Sequence, residues 1–156
     1  MNQHLTRLGL LIATLVFAAD QLSKFYILRI INLDQREPIA ITPFLDLAMA
    51  WNKGVSYGLL STHMQGLLVA LSVAIAIMLV FWLRKATKPV AAASYGMLVG
   101  GALGNALDRL VHGAVADFVL LHWGTFNWYI FNVADIAIVA GVALLLYDAL
   151  FDGKKA

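Results

Sequence analysis

The sequence predicts a membrane-embedded all-α bundle of four transmembrane helices, with a small β-hairpin or sheet cradle on the outer face. Three observations predict it. Hydrophobic residues make up 62% of the chain and charged residues only 13%, more apolar surface than a soluble domain of this size can cover. Four apolar stretches, near 8–31, 66–83, 90–111 and 129–150, each approach the roughly 20 residues a helix needs to cross a bilayer. Basic residues collect at the ends of those stretches, where orientation signals sit.

The first span follows Arg7. A cleaved signal peptide would also carry a basic residue, an apolar run and small residues such as Ala18 and Ala19. Here Leu22, Phe25, Tyr26, Ile27, Ile30 and Ile31 continue the apolar helical pattern, so the segment reads as a retained span. Arg84, Lys85 and Lys88 fill the short link between the second and third spans, and Lys154 and Lys155 follow the fourth. The remaining connections carry fewer bases, chiefly Arg36 and Lys53. The positive-inside rule then puts both termini and the 84–89 link in the cytoplasm, and an even number of spans agrees with that. The length suits one compact membrane domain over 1–156. The net charge of +2 forms no basic stripe, so nucleic acid is not an expected partner. The chain has no cysteine, which excludes disulfides, thiolate nucleophiles and thiolate metal sites.

The outer connections read as structure. From Leu45 to Trp51 large apolar residues alternate with small or polar ones, a strand period. Asn52-Lys53-Gly54 is a turn in which Gly54 is free to take positive φ, and Val55, Tyr57 and Leu59 resume the alternation. The cradle is therefore expected within about 39–60. Segment 112–128 is too apolar for a free loop, and Trp123, Trp128 and Tyr129 suit interfacial anchors.

Ionisable residues inside spans are costly and usually functional. At 1.5 Å per residue, Asp20 lies roughly 20 Å outward from Arg7, Asn105 roughly 22 Å outward from Val90, and Asp135 about 9 Å below Tyr129. All three fall at one level in the outer half of the bilayer. Asn105 with Arg109, and Asn132 with Asp135, are spaced to share a helix face, and Asp20 and Lys24 are four apart and able to pair. Asp117 sits just beyond the third span, where the fold can bring it beside Asp135. Two carboxylates meeting at the edge of an apolar medium share one proton, the arrangement of aspartic proteases. Asp20 with Lys24 also reads as a plain structural ion pair, and Asp108 as a local charge partner of Arg109. Gly100, Gly101 and Gly104 suit close helix packing, not a phosphate loop. The histidines lack ligand spacing, so no metal is expected, and no G-x-S-x-G motif points to a serine nucleophile.

These residues resemble a known family. Gly100-Gly101-Ala102-Leu103-Gly104-Asn105-Ala106-Leu107-Asp108-Arg109-Leu110, Gly113-Ala114-Val115-Ala116-Asp117-Phe118, and Phe131-Asn132-Val133-Ala134-Asp135-Ile136-Ala137-Ile138 are similar to blocks of the lipoprotein signal peptidases, or signal peptidase II. Asp20-Gln21-Leu22-Ser23-Lys24 and Trp51-Asn52-Lys53-Gly54-Val55-Ser56-Tyr57-Gly58 resemble two further blocks, in family order. The resemblance implies a bacterial inner-membrane aspartyl protease that needs no cofactor and works near the periplasmic face. It would cut lipid-modified prolipoproteins immediately before the diacylglyceryl cysteine. It implies Asp117 and Asp135 as the catalytic pair, with Asp20, Lys24, Asn52, Gly54, Asn105, Arg109 and Asn132 supporting them. Membrane lipids and globomycin-type peptide inhibitors are the other implied partners, and a monomer suffices for the chemistry. The chain departs from the family pattern at Trp51, where arginine is frequent, and at Val55, Ser56 and Tyr57, where Ala-Ala-Phe is frequent. These positions bear on contacts with lipid or signal peptide. A small transporter or channel built on the same polar cluster, and a non-catalytic lipid-binding scaffold, are the rival readings; the first predicts solute flux without peptide cleavage.

Overall fold

The computed structural model describes residues 2–54 and 63–152. Its elements run α1 (Gln3–Phe25), a π-helical turn (Tyr26–Ile31), a 3-10 turn (Leu33–Gln35), β1 (Ile39–Thr42), β2 (Leu45–Asn52), α2 (His63–Leu83), α3 (Pro89–His112), β3 (Val115–Trp123), β4 (Phe126–Asn127) and α4 (Val133–Asp152). Among the described residues, four helices are long and apolar enough to cross a membrane.

The third helix is the centre of the bundle. Half of its apolar window is buried, against 22% for the first helix and 17% for the second and fourth. It packs on α1, α2 and α4 alike. The outer three helices turn leucine, phenylalanine and valine outward, as at Leu15, Leu71 and Val139. That exposure is the expected surface of a chain solvated by lipid, where helix association relies on close packing of small residues. On α3 such residues include Gly101 and Gly104. A Cβ on Gly101 would lie 2.7 Å from the Ala134 carbonyl oxygen of α4, and one on Gly104 would lie 2.5 Å from Asp20 Oδ2 of α1. Pro89 opens α3 at a position where its missing N–H costs nothing, and Gly113 closes it with φ 70°.

The four strands form one antiparallel ribbon in the order β1-β2-β3-β4, at the end of the bundle where α3 finishes. The alternation over 45–51 is indeed a strand, and Gly54 takes φ +84° as the turn requires. Among the described residues β2 pairs along one edge with β3, which follows α3. On its other edge β2 forms a short hairpin with β1. The expected continuation at Val55, Tyr57 and Leu59 lies outside the described residues. Between Leu47↔Val119 and Ala50↔Asp117, β2 spends one residue more than β3, a bulge that re-phases the strand. Ala50 and Asn52 then share the face of Asp117. The sheet is seated by Phe118, packed with Ile27 and Leu33 where α1 ends.

The fourth helix begins at Val133, later than the 129 start expected from hydropathy. Phe131 exchanges backbone hydrogen bonds with Val119, at 3.0 and 2.8 Å, so this stretch is docked on β3. Asn132 then caps the helix. Its Oδ1 accepts from the Asp135 N–H at 3.0 Å, and Asp135 Oδ2 accepts from the Asn132 N–H at 3.3 Å, a reciprocal capping box. Asp135 therefore lies in the first helical turn and not about two turns deep.

Gly104→Ala is expected to push α1 off α3 at Asp20, at a cost of about 1–3 kcal/mol typical of overpacking. A lower midpoint of thermal unfolding in detergent would check this, with the exposed Leu103→Ala as the unaffected comparison.

Candidate active site

All the described side chains singled out by depth and spacing converge where α1, α3 and α4 meet the sheet. Lys24 is their hub. Its Nζ lies 2.7 Å from Asp20 Oδ2, 2.8 Å from Asp108 Oδ2 and 3.3 Å from Asn105 Oδ1, and both carboxylates and the ammonium are almost fully buried. Such a group is retained only when every charge is met. Asp108 thus pairs directly with Lys24, and its charge reaches Arg109, its neighbour in sequence, only at longer range. Gln21 Nε2 adds a donor to each of Asp20 and Asp108, both at 3.1 Å.

The two carboxylates also reach main chain. Asp20 Oδ1 accepts from the Ala134 N–H and Asp108 Oδ2 from the Ala116 N–H, each at 3.0 Å. Ala116 directly precedes Asp117, and Ala134 directly precedes Asp135. One ion cluster therefore holds the backbone beside each candidate aspartate.

Three asparagines complete the scaffold. Asn132 Nδ2 donates to Asp117 Oδ1 at 2.6 Å and to Asn105 Oδ1 at 3.2 Å. Asn105 Nδ2 donates to Asp135 Oδ1 at 2.9 Å. Asn52 Nδ2 donates to Asp117 Oδ2 at 3.0 Å, from a diagonal position across the β2–β3 ladder. Asn52 Oδ1 is occupied in turn by the Gly54 N–H at 2.8 Å, which fixes the amide with its NH2 toward Asp117. Asn132 touches both aspartates, one through its side chain and one through its main chain. Asp117 and Asp135 are thereby brought to one site by fixed donors.

Their surroundings differ. Asp117, on β3 and outside the spans, is 2% exposed. Burial pushes its carboxyl up to about 6; the Asn52 hydrogen bond opposes the rise and the Asp135 charge adds to it. Asp135 is half-buried and lines a cleft of about 400 Å³ with Leu121, Trp128, Phe131, Ile136 and Val139. That cleft is otherwise apolar and lies along the lipid-facing side of α4. Arg109 stands within electrostatic reach of Asp117, Asp135 and Asp108. Its Nη1 donates to the Asn105 carbonyl oxygen at 3.3 Å, while its buried Nε has no partner among the described residues. A Cβ on Gly54 would lie 3.8 Å from its Nη2, so the turn after β2 comes down beside this side chain.

The role of Asp108 was missed by sequence reasoning, although its spacing of three from Asn105 put it on the same helix face. Lys24→Met, which keeps the apolar stem and removes the ammonium, is expected to leave Asp20 and Asp108 buried without their cation. Removing one partner of a buried pair costs about 3–5 kcal/mol. The protein should lose monodispersity or thermal stability in detergent, while Lys53→Met on the exposed turn should not.

Known proteins similar to this chain point to one family. A family profile described as signal peptidase (SPase) II matches residues 12–151. A lipoprotein signal peptidase of Methylocella silvestris is 49% identical over 96% of this chain and 89% of its own. One from Methylobacterium radiotolerans is 48% identical over 96% and 90%. Two solved structures of bacterial membrane enzymes, determined in meso, superpose with TM-scores of 0.79. The first is 28% identical and covers 94% of this chain and 89% of that one; the second is 30% identical and covers 92% and 93%. With the matched profile spanning the polar cluster, the cradle and all four helices, the chain belongs to the signal peptidase II family.

Proposed function

We propose that this lipoprotein signal peptidase is an aspartyl endopeptidase, cleaving the signal peptide from diacylglyceryl-modified prolipoproteins immediately before the lipidated cysteine. The observation that carries the reading is the pair Asp117 and Asp135, bridged by Asn132 at the head of a cleft that faces lipid. A signal-peptide helix travelling in the bilayer reaches Asp135 from the side, along Ile136 and Val139, without leaving the apolar phase. The basic 84–88 link at the opposite end of α3 supports cytoplasmic termini and a site near the periplasmic face of the inner membrane. One chain contains every group of the site, so a monomer is the proposed working form. The same cleft suits globomycin-type peptides as blocked substrate mimics.

In the proposed mechanism a water lies between the aspartates. Asp117, whose burial favours the neutral acid, carries the shared proton at rest. Asp135, supplied with donors by the Asn132 N–H and Asn105 Nδ2, is the base. It takes a proton from the water as the oxygen attacks the scissile carbonyl, and Asp117 gives its proton to the developing oxyanion. Collapse of the tetrahedral diol breaks the C–N bond. Asp135 returns a proton to the leaving amine, and Asp117 recovers its own from the diol hydroxyl. Asp20, Lys24 and Asp108 position these groups, while Asn52 and Gly54 hold Asp117 from the sheet side. Arg109, within electrostatic reach of both aspartates, is the group proposed to meet polar substrate or lipid headgroup. Hydrophobic clusters around Leu5 with Leu83 and around Ala13 with Leu79 fill the bundle away from the site, which supports a protease over a conduction path.

Asp117→Asn and Asp135→Asn are each expected to lower cleavage of a diacylglyceryl prolipoprotein by at least about 10²-fold, the lower bound for losing a general acid or base. A gel-shift assay on detergent-solubilised protein measures this, and near wild-type cleavage by either variant would sink the pair. The pH dependence has a defined sign. Above about 6, Asp117 loses its proton and the pair has no acid, so kcat/KM should fall on the alkaline side. Asn52→Ala removes a hydrogen bond that favours the charged carboxylate, so that limb should move to higher pH.

A further inference from the structure

The turn between α2 and α3 carries a feature that peptide cleavage does not use. The 24 residues of α3 separate it from the sheet by about 36 Å, so it lies at the opposite headgroup level of the membrane. Two clefts flank it. One, of about 670 Å³, lies between Asn2, Phe81 and Arg84; the other, of about 360 Å³, lies between Trp82, Ala91 and Tyr95. Lys85, Ala86 and Thr87 are common to both, forming a ridge between them.

Arg84, Lys85 and Thr87 are exposed on this ridge. Lys88 is engaged with Asp148 at 3.1 Å. Among the described residues no carboxylate lies within ion-pair distance of Arg84 or Lys85, and the Lys85 ammonium rests 4.2 Å over the Phe81 ring. The Trp82 and Tyr95 rings stand 6.3 Å apart on the other side. Phe81 and Trp82 are 53% and 44% exposed, toward lipid. Orientation of the chain accounts for basic residues in this link, but not for two clefts framed by aromatic rings beside them. A guanidinium fork, an ammonium and a hydroxyl together match the oxygens of a phosphodiester. Rings descending into the hydrocarbon match the acyl chains attached to it, a combination a soluble anion would not need. Basic pockets at a membrane face bind anionic headgroups by this chemistry.

We propose that the α2–α3 turn binds an anionic phospholipid, its phosphodiester held by Arg84, Lys85 and Thr87 and its acyl chains lying against Phe81 and Trp82. Trp82 reports on the site, because the other tryptophans, Trp51, Trp123 and Trp128, lie in or beside the sheet at the far end. The full-length protein would be reconstituted in phosphatidylcholine bilayers containing dibrominated phosphatidylglycerol or dibrominated phosphatidylcholine. The fluorescence of Trp82 is the difference between wild type and Trp82→Phe. Brominated phosphatidylglycerol should quench it at a several-fold lower mole fraction. That preference should disappear in Arg84→Gln/Lys85→Gln. It should survive in Arg84→Lys/Lys85→Arg and in Arg7→Gln, which alters an exposed base that lines neither cleft. Equal quenching of wild type by the two lipids would overturn the proposal without any variant at the turn. So would a preference that persists in a folded double glutamine variant, or one abolished by inorganic phosphate, which would assign the site to a free anion. Retained prolipoprotein cleavage shows that the glutamine variant is folded.

Discussion

One buried ammonium organises the functional end of this molecule. Lys24 lies between Asp20 and Asp108 with Asn105 as a third acceptor, and none of the three charges has appreciable access to water. In an apolar interior such ions persist only together, so α1 and α3 cannot slide or separate here without exposing a charge to hydrocarbon. The carboxylates extend the constraint to main chain at Ala116 and Ala134. The residues immediately after these two are the proposed acid and base, so the precision demanded of the chemistry derives from ions that take no part in it.

The asparagines translate that rigidity into carboxylate orientation. An amide has a donor end and an acceptor end, and in each of Asn52, Asn105 and Asn132 both ends are in use. Each amide is therefore locked with its NH2 toward an aspartate. Neutral donors favour a carboxylate without neutralising it, whereas a lysine or arginine in direct contact would hold the pair too strongly ionised to share a proton. Burial of Asp117 opposes those donors and pushes its carboxyl up to about 6, which suits its proposed role as the acid.

Much of this was legible in the chain before any coordinates. Hydropathy and charge placement gave the four helices, because the demand for internally bonded backbone in lipid leaves few alternatives. Depth and spacing brought Asp20, Lys24, Asn105, Asn132 and Asp135 together, since a helix is a ruler. Asp117 was harder, as it stands on a strand whose place depends on pairing with β2, more than 60 residues earlier. No local pattern encodes that register, and the bulge at Ala48–Met49 shifts it further. The start of α4 was misplaced for a related reason. Tyr129, Ile130 and Phe131 are apolar enough for a span, but Phe131 is bonded to β3. The asparagine that caps the helix reads equally well as one of its interior polar residues.

The capping box at Asn132 and Asp135 carries a consequence for biogenesis. The carboxylate that closes the first turn of the last helix is also the proposed base, and its asparagine partner is what aligns the proposed acid. Until that helix has inserted and docked against the strand made before it, neither group has its geometry. On the proposed assignment, a half-inserted chain lacks the geometry of both groups, and assembly of the last helix and assembly of the acid–base pair are one event.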